Sequence, residues 1–98
     1  MKIYSGTRAF DGLDVRVDDT PLAPRFDLKT YSRNGFEWSF EGLEPQQLAL
    51  AILADAVDEE TALRLSGSFM RAIVANFDND WEMSEEDVRA AVRSLEAQ

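Results

Sequence analysis

The chain has no cysteine and no histidine. Without cysteine there is no disulfide framework and no thiolate to act as nucleophile or ligand. Without histidine the usual proton carrier at neutral pH and the commonest metal ligand are both missing. The glycines Gly6, Gly12, Gly35, Gly42 and Gly67 are too scattered to form a phosphate-cradling loop. No apolar run approaches the roughly 18 residues of a membrane span, and the start, Met1 to Gly6, lacks the apolar stretch of a secretory signal. A soluble, cytoplasmic protein without membrane contact is therefore expected. Bases are scarce as well: 10 Lys and Arg stand against 19 Asp and Glu, for a net charge of −9. Such a field repels nucleic acid and attracts basic surfaces, while it also simply favours solubility.

What remains is an ordinary globular composition: 98 residues, 45% hydrophobic and 10% aromatic, enough for one domain over 1–98 with its own core. The stretch Gly35 to Val57 organises it. Phe36, Trp38 and Phe40 alternate with Glu37, Ser39 and Glu41, which predicts a half-buried strand over 35–41. Pro45 stands at an expected helix start, and Leu48 to Val57 is apolar except at Asp55, which predicts a helix over 45–57 buried on most sides.

Residues 2–18 read as a hairpin, with Leu13, Val15 and Val17 alternating with Asp14, Arg16 and Asp18 after an Asp11-Gly12 turn signal. A two-residue turn there would set Arg8 opposite Val15 on the core face, so a longer loop or a bulge is expected. Gly6 suggests a bulge or a close backbone contact. Residues 19–34 form a loop with extended pieces, including a short strand near Phe26 to Tyr31 that pairs with 36–40 across Asn34-Gly35. Asp58 caps a helix over 59–77, whose Ala62, Leu65, Phe69, Ile73 and Phe77 make one apolar stripe. Gly67 within it is suited to close packing against the central helix. Phe77 to Met83 reads as a connection, and Ser84 with Asp87 as the capping box of a helix over 84–97, with Val88, Val92 and Leu95 as a narrow stripe. The fold class is α+β: a small antiparallel sheet of three or four strands packed on a buried central helix, with two further helices.

Catalytic chemistry finds little to work with. No carboxylate pair stands out for glycosidase-type chemistry, and no cofactor or metal is implied. Asp78-Asn79-Asp80-Trp81-Glu82 resembles the start of a calcium loop, but Met83 occupies the glycine position and Arg89 the bidentate glutamate position. The basic loop of Arg25, Lys29 and Arg33, with Tyr31, is read as a solvated face rather than a phosphate contact. The acids are more suggestive. Asp78, Asp80, Glu82, Glu85, Glu86 and Asp87 follow one another with no intervening base, and Asp55, Asp58, Glu59 and Glu60 sit at the other end of the second helix. Complementing helix dipoles explains Glu59, Glu60, Glu85 and Glu86. It does not explain Asp78, Asp80 and Glu82, which precede the third cap. Trp81 among them reads as a lid on the core rather than an exposed anchor.

The run Gly35-Phe36-Glu37-Trp38 followed by Pro45 and Gln47-Leu48-Ala49-Leu50-Ala51-Ile52-Leu53-Ala54-Asp55 resembles a small prokaryotic family of unknown function. Tyr4-Ser5-Gly6-Thr7-Arg8, Pro21 to Leu28, Ala62 to Leu65 and Trp81 extend the likeness over nearly the whole chain. It departs at Ser39 to Glu44, where more glycines are usual, and at Ser66-Gly67-Ser68, where larger residues are. The resemblance implies no activity and no site residue. It implies a phage or mobile-element neighbourhood. Together, charge and resemblance lead to the expectation of a non-catalytic inhibitor of a host nucleic-acid-binding defence complex, anti-CRISPR-like and acting as a DNA mimic. Its partner would be the basic surface of that complex, with no direct contact to nucleic acid. Asp78, Asp80, Glu82, Glu85, Glu86 and Asp87 form the expected contact set, extended by Asp58, Glu59 and Glu60. The alternative expectation is a structural or accessory module that oligomerises, as a homodimer for instance, or binds a protein partner through the apolar side of the third helix.

Overall fold

The computed structural model describes residues 1–98. Four antiparallel strands, β1 (Ile3–Ala9), β2 (Gly12–Val17), β3 (Thr20–Pro21) and β4 (Trp81–Ser84), form one sheet in the order β3-β2-β1-β4. Three α-helices, α1 (Leu43–Ala56), α2 (Glu59–Ala72) and α3 (Glu85–Glu96), and a 3-10 turn at Val74–Asn76 complete the α+β fold. No helix is long and apolar enough to cross a membrane.

The central helix is buried as its composition requires. Leu48, Ala49, Leu50, Ala51, Ile52 and Leu53 have no exposed surface, and α1 packs most extensively on α2. Each larger side chain buried this way contributes on the order of 1.5–3 kcal/mol. The helix starts two residues earlier than Pro45 suggested, because Gly42 serves as its N-cap and Leu43 lies in its exposed first turn. Gln47, also fully buried, satisfies its whole amide: its oxygen accepts from the Tyr31 and Ser32 N–H groups, and its nitrogen donates to the Pro24 and Lys29 carbonyls. One helix residue thus pins the loop that lacked a period in the sequence.

The strand expected over 35–41 does not form. Gly35 and Ser39 both adopt positive φ, at 93° and 79°, which breaks the extended conformation twice within five residues. Nor does it pair with β1, which is flanked by β2 and β4. Trp38 is fully buried, but Phe36 is only half-buried and Phe40 is 45% exposed, so the alternation does not mark a core face. The partner strand expected near Phe26 to Tyr31 is absent as well; those residues form turns held by Gln47. The sheet's missing member comes from the segment read as a connection. Trp81 and Met83 pair opposite Gly6 and Tyr4.

The hairpin closes through a two-residue turn without a bulge. Phe10 and Asp11 occupy the turn, Ala9 pairs with Gly12, and Arg8 lies opposite Leu13 rather than Val15. Gly12 takes the positive φ, at 139°, just after the turn. Gly6 makes the close contact its position suggested: a Cβ there would come within 2.3 Å of Trp81 Nε1. Gly67 does not act so. A Cβ there would meet only the Arg71 and Gln46 side chains, at 3.4 and 3.5 Å, so close helix packing does not require it. Helix α2 ends at Ala72, and the 3-10 turn carries Val74 into the core, so the expected stripe to Phe77 continues outside regular helix. Helix α3 begins behind the Ser84–Asp87 capping box and buries Val88 and Val92.

Candidate functional site

The nine sequence-predicted acids fall into two kinds. At the start of α2, the Asp58 carboxylate caps the helix by accepting the Thr61 N–H at 2.7 Å, and that backbone bond holds it below the usual carboxylate range. Glu59 pairs with Arg25, and Glu60 lies 4.0 Å from Arg64. Along α3, Glu85 pairs with Arg89 at 3.4 Å and Glu86 with Arg93 at 2.9 Å. Asp87 completes the capping box by accepting from the Ser84 N–H. These six carboxylates are engaged within the fold. Exposed pairs of this sort contribute little to stability, but each of the four glutamates lies against an arginine.

Asp78, Asp80 and Glu82 are different. Asp78 and Glu82 have no ion-pair or hydrogen-bond partner, and Asp80 only accepts the Arg8 backbone N–H at 3.4 Å. All three are exposed. Asp80 and Glu82 border a shallow depression of about 520 Å³ with Ser5, Gly6 and Thr7. The structure therefore leaves three of the predicted residues exposed and without an ion pair, Glu82 in β4 and Asp78 and Asp80 in the segment that leads into it, and engages the rest.

That segment is backed by an aromatic and cationic scaffold. Trp81 lies between Asp80 and Glu82 in sequence, yet its indole turns inward and is only 8% exposed, as a lid would be. It stacks on Phe77 with ring centroids 4.3 Å apart and meets Trp38 edge-on at 5.9 Å. Its buried Nε1 has no acceptor. The Trp38 Nε1 donates to the Asn79 carbonyl at 3.1 Å. The Arg8 guanidinium sits 4.7 Å over the Trp38 ring, donates to the Trp38 carbonyl at 2.9 Å and to Asn79 Oδ1 at 3.1 Å, and pairs with Glu37 at 2.8 Å. Ser39 completes the hold, its N–H donating to the Val74 carbonyl and its hydroxyl to the Phe77 carbonyl. The residues carrying Asp78 to Glu82 are thereby fixed from behind. Arg8 was legible only as an awkward residue in a strand register, and nothing in the sequence linked it to Trp38 or Asn79.

The remaining polar clusters are internal ties. Tyr4, fully buried, donates its hydroxyl to Asp55 Oδ2 at 2.7 Å, and Lys2 approaches the same oxygen at 3.2 Å. Burial, reinforced by the Asp55 hydrogen bond, pushes the Tyr4 hydroxyl above the usual tyrosine range. Asp55 is thus engaged by the sheet, apart from the acids at the start of α2. The Tyr31 hydroxyl bonds Ser66, and Arg25 bonds Asp27 and Glu59, which leaves Lys29 and Arg33 as the free bases of that loop. No three acidic, histidine or cysteine side chains converge as a metal site would require.

The model of a family of unknown function (DUF6166) matches residues 4–94, and the chain belongs to that family. No curated protein and no solved structure matches it.

Proposed function

We propose that this member of a family of unknown function is a non-catalytic binding protein that presents carboxylates to a basic protein surface. The observation that carries the reading is the segment that leads into β4, where Asp78 and Glu82 are exposed and unpaired beside Asp80, on an aromatic backing. Exposed carboxylates at alternate positions of one surface segment imitate the charge of a nucleic-acid strand and occupy a groove lined by lysine and arginine. The partner class is a host nucleic-acid-binding complex. The phage and mobile-element neighbourhood implied by the sequence resemblance makes a defence complex the target, in the manner of an anti-CRISPR inhibitor acting as a DNA mimic. The contact set narrows to Asp78, Asp80 and Glu82, because the other six acids already hold helix caps or arginines.

The test is capture of host-lysate proteins on the immobilised chain, followed by a DNA-binding assay on whatever is retained. The expected result is a nucleic-acid-binding complex that this protein displaces from DNA. Its affinity should fall steeply between low and high salt, because exposed charges are screened over about 10 Å at 0.1 M. Asp78→Asn combined with Glu82→Gln should weaken the capture. Equal affinity at low and high salt would rule the reading out.

An accessory module acting through apolar surface is the second reading, favoured by the full exposure of Phe10, at 109%. The α3 stripe is not available for it, since Val88 and Val92 are buried in the fold.

A further inference from the structure

The β1–β2 hairpin turns at Phe10 and Asp11. Such turns ordinarily carry Gly, Asn, Asp or Pro for their backbone preferences, so the phenyl ring at Phe10 contributes nothing to turn geometry. Three residues on, Leu13 is 39% exposed although it lies on the same face of the sheet as Val15. Leu13, Val15, Pro21, Leu22 and Phe36 line an open groove of about 440 Å³ between the β2–β3 ribbon and residues 34–36.

The backbone beside this groove is open too. The Val15 carbonyl accepts the Leu22 N–H at 3.0 Å, which identifies the side of β2 that faces β3. Alternation along a strand turns the N–H and C=O of Leu13 to that same side. Strand β3 pairs only with Arg16 and Val17, so it does not reach Leu13. One donor and one acceptor thus stand free at a strand edge next to an apolar groove, the arrangement that receives an added strand.

Charge indicates which strand. From Ala9 to Leu22 there are four acids, Asp11, Asp14, Asp18 and Asp19, and one base, Arg16. Arg16 is tied to the Asp14 carboxylate at 3.0 Å and to the Asp19 carbonyl at 2.9 Å, while Asp11 has no ion-pair partner. We infer that the groove beside Leu13 receives an extended cationic segment of a partner protein. The segment pairs with the Leu13 backbone, seats an apolar side chain between Leu13, Leu22 and Phe36, and sets a lysine or arginine against Asp11. A cationic side chain can also cover the face of Phe10. A second copy of this chain is a poor occupant, because it would bring the same acids against themselves. The inference rests on the basic-partner reading above and adds a surface distinct from the Asp78–Glu82 segment.

The test is a titration of the isotopically labelled full chain with a short synthetic peptide of alternating lysine and valine, followed by amide shifts. A peptide of alternating glutamate and valine is the control. The expected shifts centre on residues 10–15, 21–22 and 34–36, and only the lysine peptide produces them. Phe10→Ser should weaken binding about tenfold with an unchanged melting temperature, since the ring is fully exposed. Leu13→Ser should do the same, and Phe10→Ser keeps the test decisive if that variant folds poorly. Shifts confined to residues 78–82 would overturn the groove and leave the basic-partner reading standing. Equal response to the two peptides, or none to the lysine peptide, would overturn the groove as well.

Discussion

Helix α1 and the segment that precedes it, residues 33–42, are neighbours in the chain and equally rich in large apolar side chains, yet they are held by different forces. The helix satisfies its own backbone and is fixed by apolar contact on nearly every side. The segment has no regular hydrogen-bond pattern. Its backbone is held mostly from elsewhere, by Arg8 on the Trp38 carbonyl and the Val74 carbonyl on the Ser39 N–H, while its own Glu37 accepts the Trp38 N–H. Only Trp38 is fully buried, with Phe36 packed half-buried against the core. Burial therefore does not need a regular element, provided that every buried backbone group finds a partner.

Three substitutions probe that difference. The largest effect is expected for Trp38→Ala, which removes the one fully buried anchor of the segment and should cost about 3–5 kcal/mol in a denaturant melt. A loss below about 1 kcal/mol would erase the contrast, because the segment would then have no core contact that matters. Next comes Arg8→Met, which keeps the aliphatic stem but removes the donors. Leaving the Trp38 carbonyl and Glu37 without their charged partner should cost about 1.5–3 kcal/mol. Faster amide exchange would be confined first to residues 33–42, while α1 stays protected. Uniform loss of protection in both regions would show that they are one cooperative unit. The smallest effect is expected for Phe40→Ala, at about 0.5 kcal/mol or less for an exposed side chain. A cost matching that of Trp38→Ala would restore the inward-facing strand that the alternation suggested.

The same contrast explains which parts of the molecule were legible. Helix α1 shows in the sequence because an apolar run of helical length has few alternatives, and α2 and α3 announce themselves through Asp58 and the Ser84–Asp87 box. The three helices and a small antiparallel sheet therefore followed from local signals. Strand β4 did not, because four residues are too short for a period and their partner lies at the other end of the chain. Residues 35–41 gave a clean strand signal that was wrong, because Gly35 and Ser39 leave the extended region, and side-chain alternation carries no information about where the backbone turns. The hairpin was legible and its register was not, since the turn sits one residue earlier than Asp11-Gly12 suggests. For the acids, sequence located every charge but could not separate engaged from free. That distinction depends on arginines brought close by folding, such as Arg25 beside Glu59 and Arg64 beside Glu96.

Pairing Ile3 with Ser84 has a consequence for synthesis. The two partners are 81 positions apart (84 − 3), so the edge of β1 that receives β4 stays open until Ser84 has left the ribosome. In that interval the nascent hairpin presents β1 on one side and Leu13 on the other as unpaired strand edges, the kind of surface that recruits a second chain. Closure of the sheet is then a late, long-range event, slow relative to helix formation. Net negative charge keeps such incomplete chains apart in the meantime, and removing the β4 segment would leave them without a way to finish.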